Sequence, residues 1–235
     1  MTEPAQVTKM FDQIASKYDI VNRILSLGMD LRWRKKVARY LPPQKNIHLL
    51  DLATGTADQL IALFESKASI QSAIGLDLAS EMLFIGEKKI QQKPYSQQIE
   101  LQIGDALALP FEANQFDACT ISFGIRNVKD PLHSLEEMQR VLKPNGRCLV
   151  LEFSLPSFPF KLPYLLYLRH VLPWLGAKIS QQSTAYRYLN QTIESFPSGN
   201  AFLLLMKQAG FAKSTAHRMA FGAVTLYVGE KGKQD

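Results

Sequence analysis

An apolar run, Ile47-His48-Leu49-Leu50-Asp51-Leu52, passes directly into the small-residue stretch Ala53-Thr54-Gly55-Thr56-Ala57-Asp58, and a second apolar run closes on Gly75-Leu76-Asp77. A strand, a tight turn, a helix and a second strand ending in an acid are what an open α/β sheet uses to hold a ribose. The turn is not a phosphate cradle. A dinucleotide site needs G-x-G-x-x-G, and Gly55 is the only glycine between Asp51 and Leu60. The pattern calls for a nucleoside ligand that lacks a pyrophosphate.

The same alternation continues along the chain. Apolar spacing predicts strands over 47–53, 72–77, 99–104, 116–122 and 147–153, and helices over 57–67, 80–92 and 131–142. Asp130 is placed to cap the last helix and Pro131 suits its first turn, where a missing N–H costs nothing. Lys143-Pro144-Asn145-Gly146 then stops it and turns the chain. Ahead of the first strand, Val7, Met10, Phe11 and Ile14 follow i, i+3, i+4, i+7 and predict a helix over 5–17. Two more helices are expected over 19–27 and 30–40, ended by Pro42-Pro43.

After Glu152 the rhythm breaks. Residues 154–197 scatter Pro156, Pro159, Pro163, Pro173 and Pro197 among Phe158, Phe160, Tyr164, Tyr167 and Trp174, a composition suited to a lid at the ligand end of a sheet. A helix capped by Ser198 follows, with Phe202, Leu205, Met206 and Ala209 on one face and Gly210 at its end. Strands over 213–218 and 223–228, joined by a short link containing Gly222, complete the pattern. Helix crossovers require parallel strands and the short link requires an antiparallel pair. The expected fold is α/β and Rossmann-like, with a seven-stranded, mostly parallel sheet carrying one antiparallel strand. Its parts would be a helical cover (1–43), an α/β core (44–153), a lid insertion (154–197) and a C-terminal completion of the core (198–235).

Composition bounds the setting. At 235 residues and 46% hydrophobic, the chain suits one domain with a full core plus an insertion. Cys119 and Cys148 fall inside apolar runs and read as core residues, which points to the cytoplasm. No signal-like pattern begins the sequence, and no window reaches the roughly 18 apolar residues of a membrane span. The net charge of +6 permits attraction to nucleic acid or to an anionic membrane surface without choosing between them. The run Arg32-Trp33-Arg34-Lys35-Lys36 reads as a solvated helix face.

Ligands of such sheets lie beyond the carboxyl ends of the strands. At the first end Asp51, Gly55 and Thr56 form the turn, whose backbone can approach a small ligand, and the next helix offers N–H groups to a carboxylate. At the second, Asp77 can accept both hydroxyls of a ribose, or can instead cap the helix that follows. At the third, Asp105 can accept from an adenine amino group while Ala106 leaves room for the ring. At the fourth, Ser122 precedes Phe123-Gly124-Ile125-Arg126-Asn127. S-adenosylmethionine fits this set best.

Four further stretches carry a resemblance. Tyr18-Asp19-Ile20-Val21-Asn22 with Ser26 and Trp33, Ser122-Phe123-Gly124-Ile125-Arg126-Asn127-Val128, Arg140 to Arg147 running on to Leu151-Glu152-Phe153-Ser154, and Ala185-Tyr186-Arg187-Tyr188-Leu189 together resemble the ubiquinone/menaquinone biosynthesis C-methyltransferases over nearly the whole length. Asp30 departs from the histidine usual in that family, and Thr54 and Ala57 replace glycines found in many members. Thr56-Ala57-Asp58 is closer to the menaquinone branch than to the dual-function branch.

The resemblance implies a class I S-adenosylmethionine-dependent methyltransferase with cofactor contacts at Thr56, Asp77, Asp105, Ala106 and Ser122. It implies no metal and no nucleic-acid partner; no Asn-Pro-Pro-Tyr-type motif or appended RNA module is visible. The acceptor would be a polyprenyl quinol methylated at ring carbon, with a naphthoquinol favoured over a benzoquinol. Deprotonating a ring hydroxyl makes the adjacent carbon nucleophilic, and a permanent cation lowers that hydroxyl's pKa. Arg126 is the candidate cation and Asn127 would orient a ring oxygen or a water; the alternative for Arg126 is a structural salt bridge to Asp19 or Asp130. Asp30, Tyr18, Tyr186 and a bound water all stand as proton acceptors. The aromatic stretch 158–174 would line a channel for the tail, or pack on the sheet or on a second subunit of a homodimer. The same substrate implies visits to the membrane surface as a peripheral protein.

Overall fold

The computed structural model describes residues 4–66, 68–171 and 183–233. Its centre is one seven-stranded sheet of β1 (Ile47–Leu52), β2 (Ile70–Asp77), β3 (Ile99–Ile103), β4 (Phe116–Ser122), β5 (Leu142–Phe153), β6 (Lys213–Met219) and β7 (Val224–Glu230), in the order β3-β2-β1-β4-β5-β7-β6. β1 pairs parallel with β2 and β4, β2 with β3, and β4 with β5, whereas β7 runs antiparallel between β5 and β6. The strand order reverses between β1 and β4, and that is where a crevice opens in a sheet of this kind.

Burial on both faces explains the continuous apolar character of the central strands. Leu50, Cys119 and Val150 point to one side, where they meet Leu135 and Met138 of α5 (Pro131–Val141) and Phe202 and Met206 of α8 (Asn200–Gln208). Leu49, Ala118 and Leu149, each one residue away, point to the other, against Trp33 and Val37 of α2 (Met29–Val37) and Leu60 and Leu63 of α3 (Asp58–Phe64). Cys119 and Cys148 are register partners on β4 and β5, both buried and both free.

Several local details differ from the sequence reading. The first two helices are one, α1 (Pro4–Leu25), because nothing in that stretch breaks a 22-residue helix. Residues 143–146 do not separate α5 from its strand. β5 starts at Leu142, and the extra residues leave as a bulge between the pairs Phe116–Leu142 and Ala118–Arg147, with Asn145 at φ 63°. Asp130 does cap α5, accepting from the His133 N–H at 3.1 Å. Ser198 does not cap α8: the N-cap is Gly199, at φ 62° and ψ −127°, a conformation essentially confined to glycine.

The late insertion contributes α6 (Lys161–Leu166), a wider π turn over Tyr167–Val171 and α7 (Ser183–Ser195). It closes on the end of α1: the Tyr167 hydroxyl donates to the Leu25 carbonyl at 2.6 Å, and Leu168 and Ile193 pack on Val21. Pro173 and Trp174 lie outside the described residues, as does the Tyr186 side chain. Among the described residues no helix is long and apolar enough to cross a membrane.

Candidate active site

The turn after β1 is supported from below. Asp51, fully buried, accepts from Thr54 Oγ1 at 2.7 Å and from Thr120 Oγ1 on β4. Burial pushes its pKa up to about 6, against the pull of the two hydroxyls. Above this anchor Ala53, Gly55 and Ala57 have φ of 47°, 54° and 62°. The left-handed turn leaves the Gly55 N–H free to donate to Asp77 Oδ2 at 2.8 Å. Asp77 Oδ1 accepts from the Ala79 N–H at 2.9 Å, so the carboxylate joins the turn to the start of α4 (Ser80–Gln91). A Cβ at Gly124 would stand 2.5 Å from the Ala53 Cβ, so the ends of β1 and β4 can approach this closely only with glycine there.

These strand ends enclose a cleft of about 130 Å³ lined by Gly55, Asp77, Asp105, Ala106, Ser122 and Asn127, with Phe11 and Tyr18 of α1 on the opposite side. Five of the seven residues read from the sequence as cofactor contacts therefore come together. Asp51 and Thr56 do not line the cleft. Asp51 is the anchor beneath it, and Thr56 faces away, its hydroxyl donating to Asp19 of α1 at 2.6 Å.

A charged network fastens α1 at that point. Lys89 of α4 donates to Asp19 at 2.9 Å and also pairs with Asp58, while Arg23 of α1 bridges Asp58, at 2.5 Å, and Asp30. Burial works against the charge on Asp58, but Arg34, Lys89 and Arg23 outweigh it and hold its pKa below the ordinary carboxylate value.

A second, larger cavity of about 520 Å³ lies between α1, α2 and the insertion. Its lining is mainly apolar and aromatic, including Val21, Phe153, Tyr164, Leu168, Tyr188 and Ile193, while Arg34, Arg126, Asn127 and Asp30 supply polar groups. Phe11, Tyr18, Phe123 and Asn127 line both cavities, so the two share one wall. In the described part of the insertion Tyr164 and Leu168 line the cavity, whereas Phe158 and Leu162 are exposed.

Arg126 is buried and its Nη1 meets Glu152 Oε1 at 2.6 Å and the Phe123 carbonyl at 2.6 Å. The partner is neither Asp19, which Lys89 and Thr56 hold, nor Asp130, which caps α5. Glu152 is fully enclosed; burial raises its pKa while Arg126 and the Phe153 N–H pull it down. Three buried polar atoms of residues lining this cavity have no hydrogen-bond partner, Arg34 Nε, Arg126 Nε and Asn127 Oδ1. Such atoms are costly unless a ligand meets them.

Residues 1–231 match the model of the ubiE/COQ5 methyltransferase family. The ubiquinone/menaquinone biosynthesis C-methyltransferase UbiE of Geobacter sulfurreducens is 41% identical over 99% of this chain and 91% of its own length. The demethylmenaquinone methyltransferase of Bacteroides fragilis is 39% identical over 96% of this chain and 92% of its own. The chain belongs to the ubiE/COQ5 methyltransferase family. It is an S-adenosylmethionine-dependent C-methyltransferase. The fold agrees: a methyltransferase structure from Thermotoga maritima superposes with a TM-score of 0.66 over 95% of this chain and 98% of its own, at 19% identity.

Three residues around the two cavities carry no role in the sequence reading. Glu152 sits in a stretch noted only for its resemblance, and its pairing with Arg126 needs β5 to lie beside β4. Gln59 is buried in α3, accepting from Ser122 Oγ at 2.8 Å and donating to the Arg34 carbonyl at 3.3 Å. Arg34 corrects the solvated-face reading of 32–36. Arg32, Lys35 and Lys36 are exposed, but Trp33 and Arg34 are buried and Arg34 stacks 5.1 Å over the Phe123 ring. The i, i+4 spacing of Trp33 and Val37 was the available signal that this helix turns a face inward.

Proposed function

We propose that the chain methylates a ring carbon of a polyprenyl quinol, converting a demethylmenaquinol into a menaquinol, with the small cleft holding the cofactor and the larger cavity the acceptor. The observation that carries this reading is the common wall. Two ligands of very different polarity can occupy separate cavities and still meet at Phe123, Tyr18 and Asn127.

The cleft suits S-adenosylmethionine by its donor set. Asp77 accepts from the Gly55 N–H on Oδ2 and from the Ala79 N–H on Oδ1, and its carboxylate still has lone-pair capacity for a ribose hydroxyl. Asp105, which orders its own loop by accepting from the Leu107 N–H at 2.9 Å, has a second oxygen for an adenine amino group, and Ala106 leaves space for the ring. Gly55 and Ser122 complete the contacts, while Asp51 and Thr56 position the turn from behind. When bound, the cofactor supplies an electrophilic sulfonium methyl.

The protein's task is to make the nucleophile. A phenolic hydroxyl of pKa about 10 is almost wholly protonated at neutrality. The guanidinium of Arg126, held by Glu152, stabilises the phenolate, and its unpartnered Nε can donate to the ring oxygen. Asn127, with its Oδ1 free, accepts from a second hydroxyl or from the water that removes the proton. The aromatic walls exclude bulk water and strengthen each of these interactions.

Thr56-Ala57-Asp58 supports the naphthoquinol over the benzoquinol. Methyl transfer from labelled S-adenosylmethionine to reduced demethylmenaquinone and to the reduced methoxy-benzoquinone, side by side, tests it. Label in the naphthoquinol alone is expected. Label in both indicates dual function, and label in neither, with cofactor bound, refutes the quinol reading.

A further inference from the structure

The mouth of the larger cavity is apolar outside as well as within. Leu27, at the bend between α1 and α2, is 86% exposed and Phe221, in the β6–β7 link, is 77% exposed, yet both line the cavity. They form its rim. Phe221 stacks on Phe160 with ring centroids 4.5 Å apart, which carries the apolar surface onto the start of α6, where Phe158 is 91% and Leu162 65% exposed. Soluble proteins seldom leave large apolar side chains contiguous and uncovered.

Cations fringe this surface. Lys161 stands between Phe160 and Leu162, Arg32 lies one turn along α2 from the rim residue Met29, and Arg218 precedes Phe221 by three positions. All three are exposed, and none has a carboxylate within salt-bridge distance among the described residues.

We propose that the rim is a docking surface for an anionic lipid bilayer, with Leu27, Phe158, Leu162 and Phe221 entering the acyl boundary and the three cations meeting headgroup phosphates. The charge selects this occupant: a second copy of the chain would bring the same uncompensated cations to the contact. The cavity then opens toward the hydrocarbon, so a polyprenyl tail slides in without crossing water. This purpose rests on the quinol reading, but the docking itself does not.

Cosedimentation of the full chain, without substrate, with vesicles of phosphatidylethanolamine and phosphatidylglycerol and with vesicles of phosphatidylcholine tests the surface. Binding to the anionic vesicles that salt weakens is expected. Phe158→Ser with Leu162→Ser, neither of which lines a cavity, should lower it at least tenfold. Lys161→Gln should lower it about fivefold on anionic vesicles and little on phosphatidylcholine. The double variant should turn over a short-tailed, water-soluble quinol like wild type and a long-tailed quinol in vesicles more slowly. Equal vesicle binding by wild type and double variant, or binding indifferent to headgroup charge, overturns the proposal. A changed oligomeric state with vesicle binding intact would make the face a contact between copies and also overturn it. Vesicle binding lost in the variants of a protein that methylates no quinol upholds the docking surface and overturns only the assignment of the substrate.

Discussion

The two cavities are built in different ways. Every sheet-derived wall of the smaller cleft comes from a strand end, and its polar lining is backbone N–H groups, a hydroxyl and short acids within a few residues of a strand: Gly55 after β1, Asp77 at the end of β2, Asp105 after β3, Ser122 at the end of β4. The larger cavity is assembled from α1, α2, the β4–α5 link, the insertion and the β6–β7 link, segments separated by most of the chain. A cleft at a sheet's switch point follows from topology, and any sequence that makes the sheet makes the cleft. The larger cavity follows from how the covers pack, and the same sheet can carry many different covers.

The contrast is sharpest at Arg126. Replacing it with alanine leaves Glu152 buried and unpaired, so a loss of about 3–5 kcal/mol in denaturant-measured stability is expected along with turnover. Arg126→Gln with Glu152→Gln should restore most of the stability and none of the turnover. Recovery of turnover would make the guanidinium structural only. The cofactor affinity of the double variant should match wild type, because neither residue lines the smaller cleft.

Beneath the cleft, Asp51 gives the next largest effect. Its folded pKa of about 6 lies above its ordinary value of 3.8, so the folded state holds that proton more tightly. Its contribution is fully present below about pH 4 and is lost as pH rises toward 6, an expected decline of about 3 kcal/mol. Comparing unfolding of wild type and Asp51→Asn across pH 4–7 isolates it, since the paired acids, such as Asp58, act in the opposite direction in both proteins. Parallel pH profiles for the two would remove Asp51 as the titrating group.

Within the cleft itself Asp77→Ala should weaken S-adenosylmethionine ten- to hundredfold by calorimetry, the scale of one or two hydrogen bonds to a charged group. The quinol KM at saturating cofactor should not move. Unchanged cofactor affinity would separate Asp77 from the site, and a raised quinol KM would mean that the two cavities are coupled through α1.

Legibility followed the same division. Strand order and direction could be inferred because crossovers and a short terminal link leave few alternatives, and the strand-end residues were readable because topology puts them together. Errors fell where tertiary contact overrides local pattern. The KPNG stretch became a bulge because β5 pairs with β4 on both sides of it, and the Ser198 cap lost to Gly199, whose φ and ψ only glycine readily adopts. Arg34 read as one charge in a solvated run, yet it is buried against Phe123. Thr56, a contact by the resemblance, sends its hydroxyl to Asp19 of α1, a partner 37 positions away that no local pattern announces.

By itself the sequence determined an α/β sheet with a nucleoside cleft that has no phosphate cradle, because periodicity, turn residues and strand-end acids act over short distances. Only the tertiary structure decided that Glu152 holds Arg126, that Asp51 and Thr56 stand behind the turn, and that a second cavity shares a wall with the first. Those facts depend on which distant segments touch, and contact across tens of residues is set by the packing of the whole core, not by any local run of side chains.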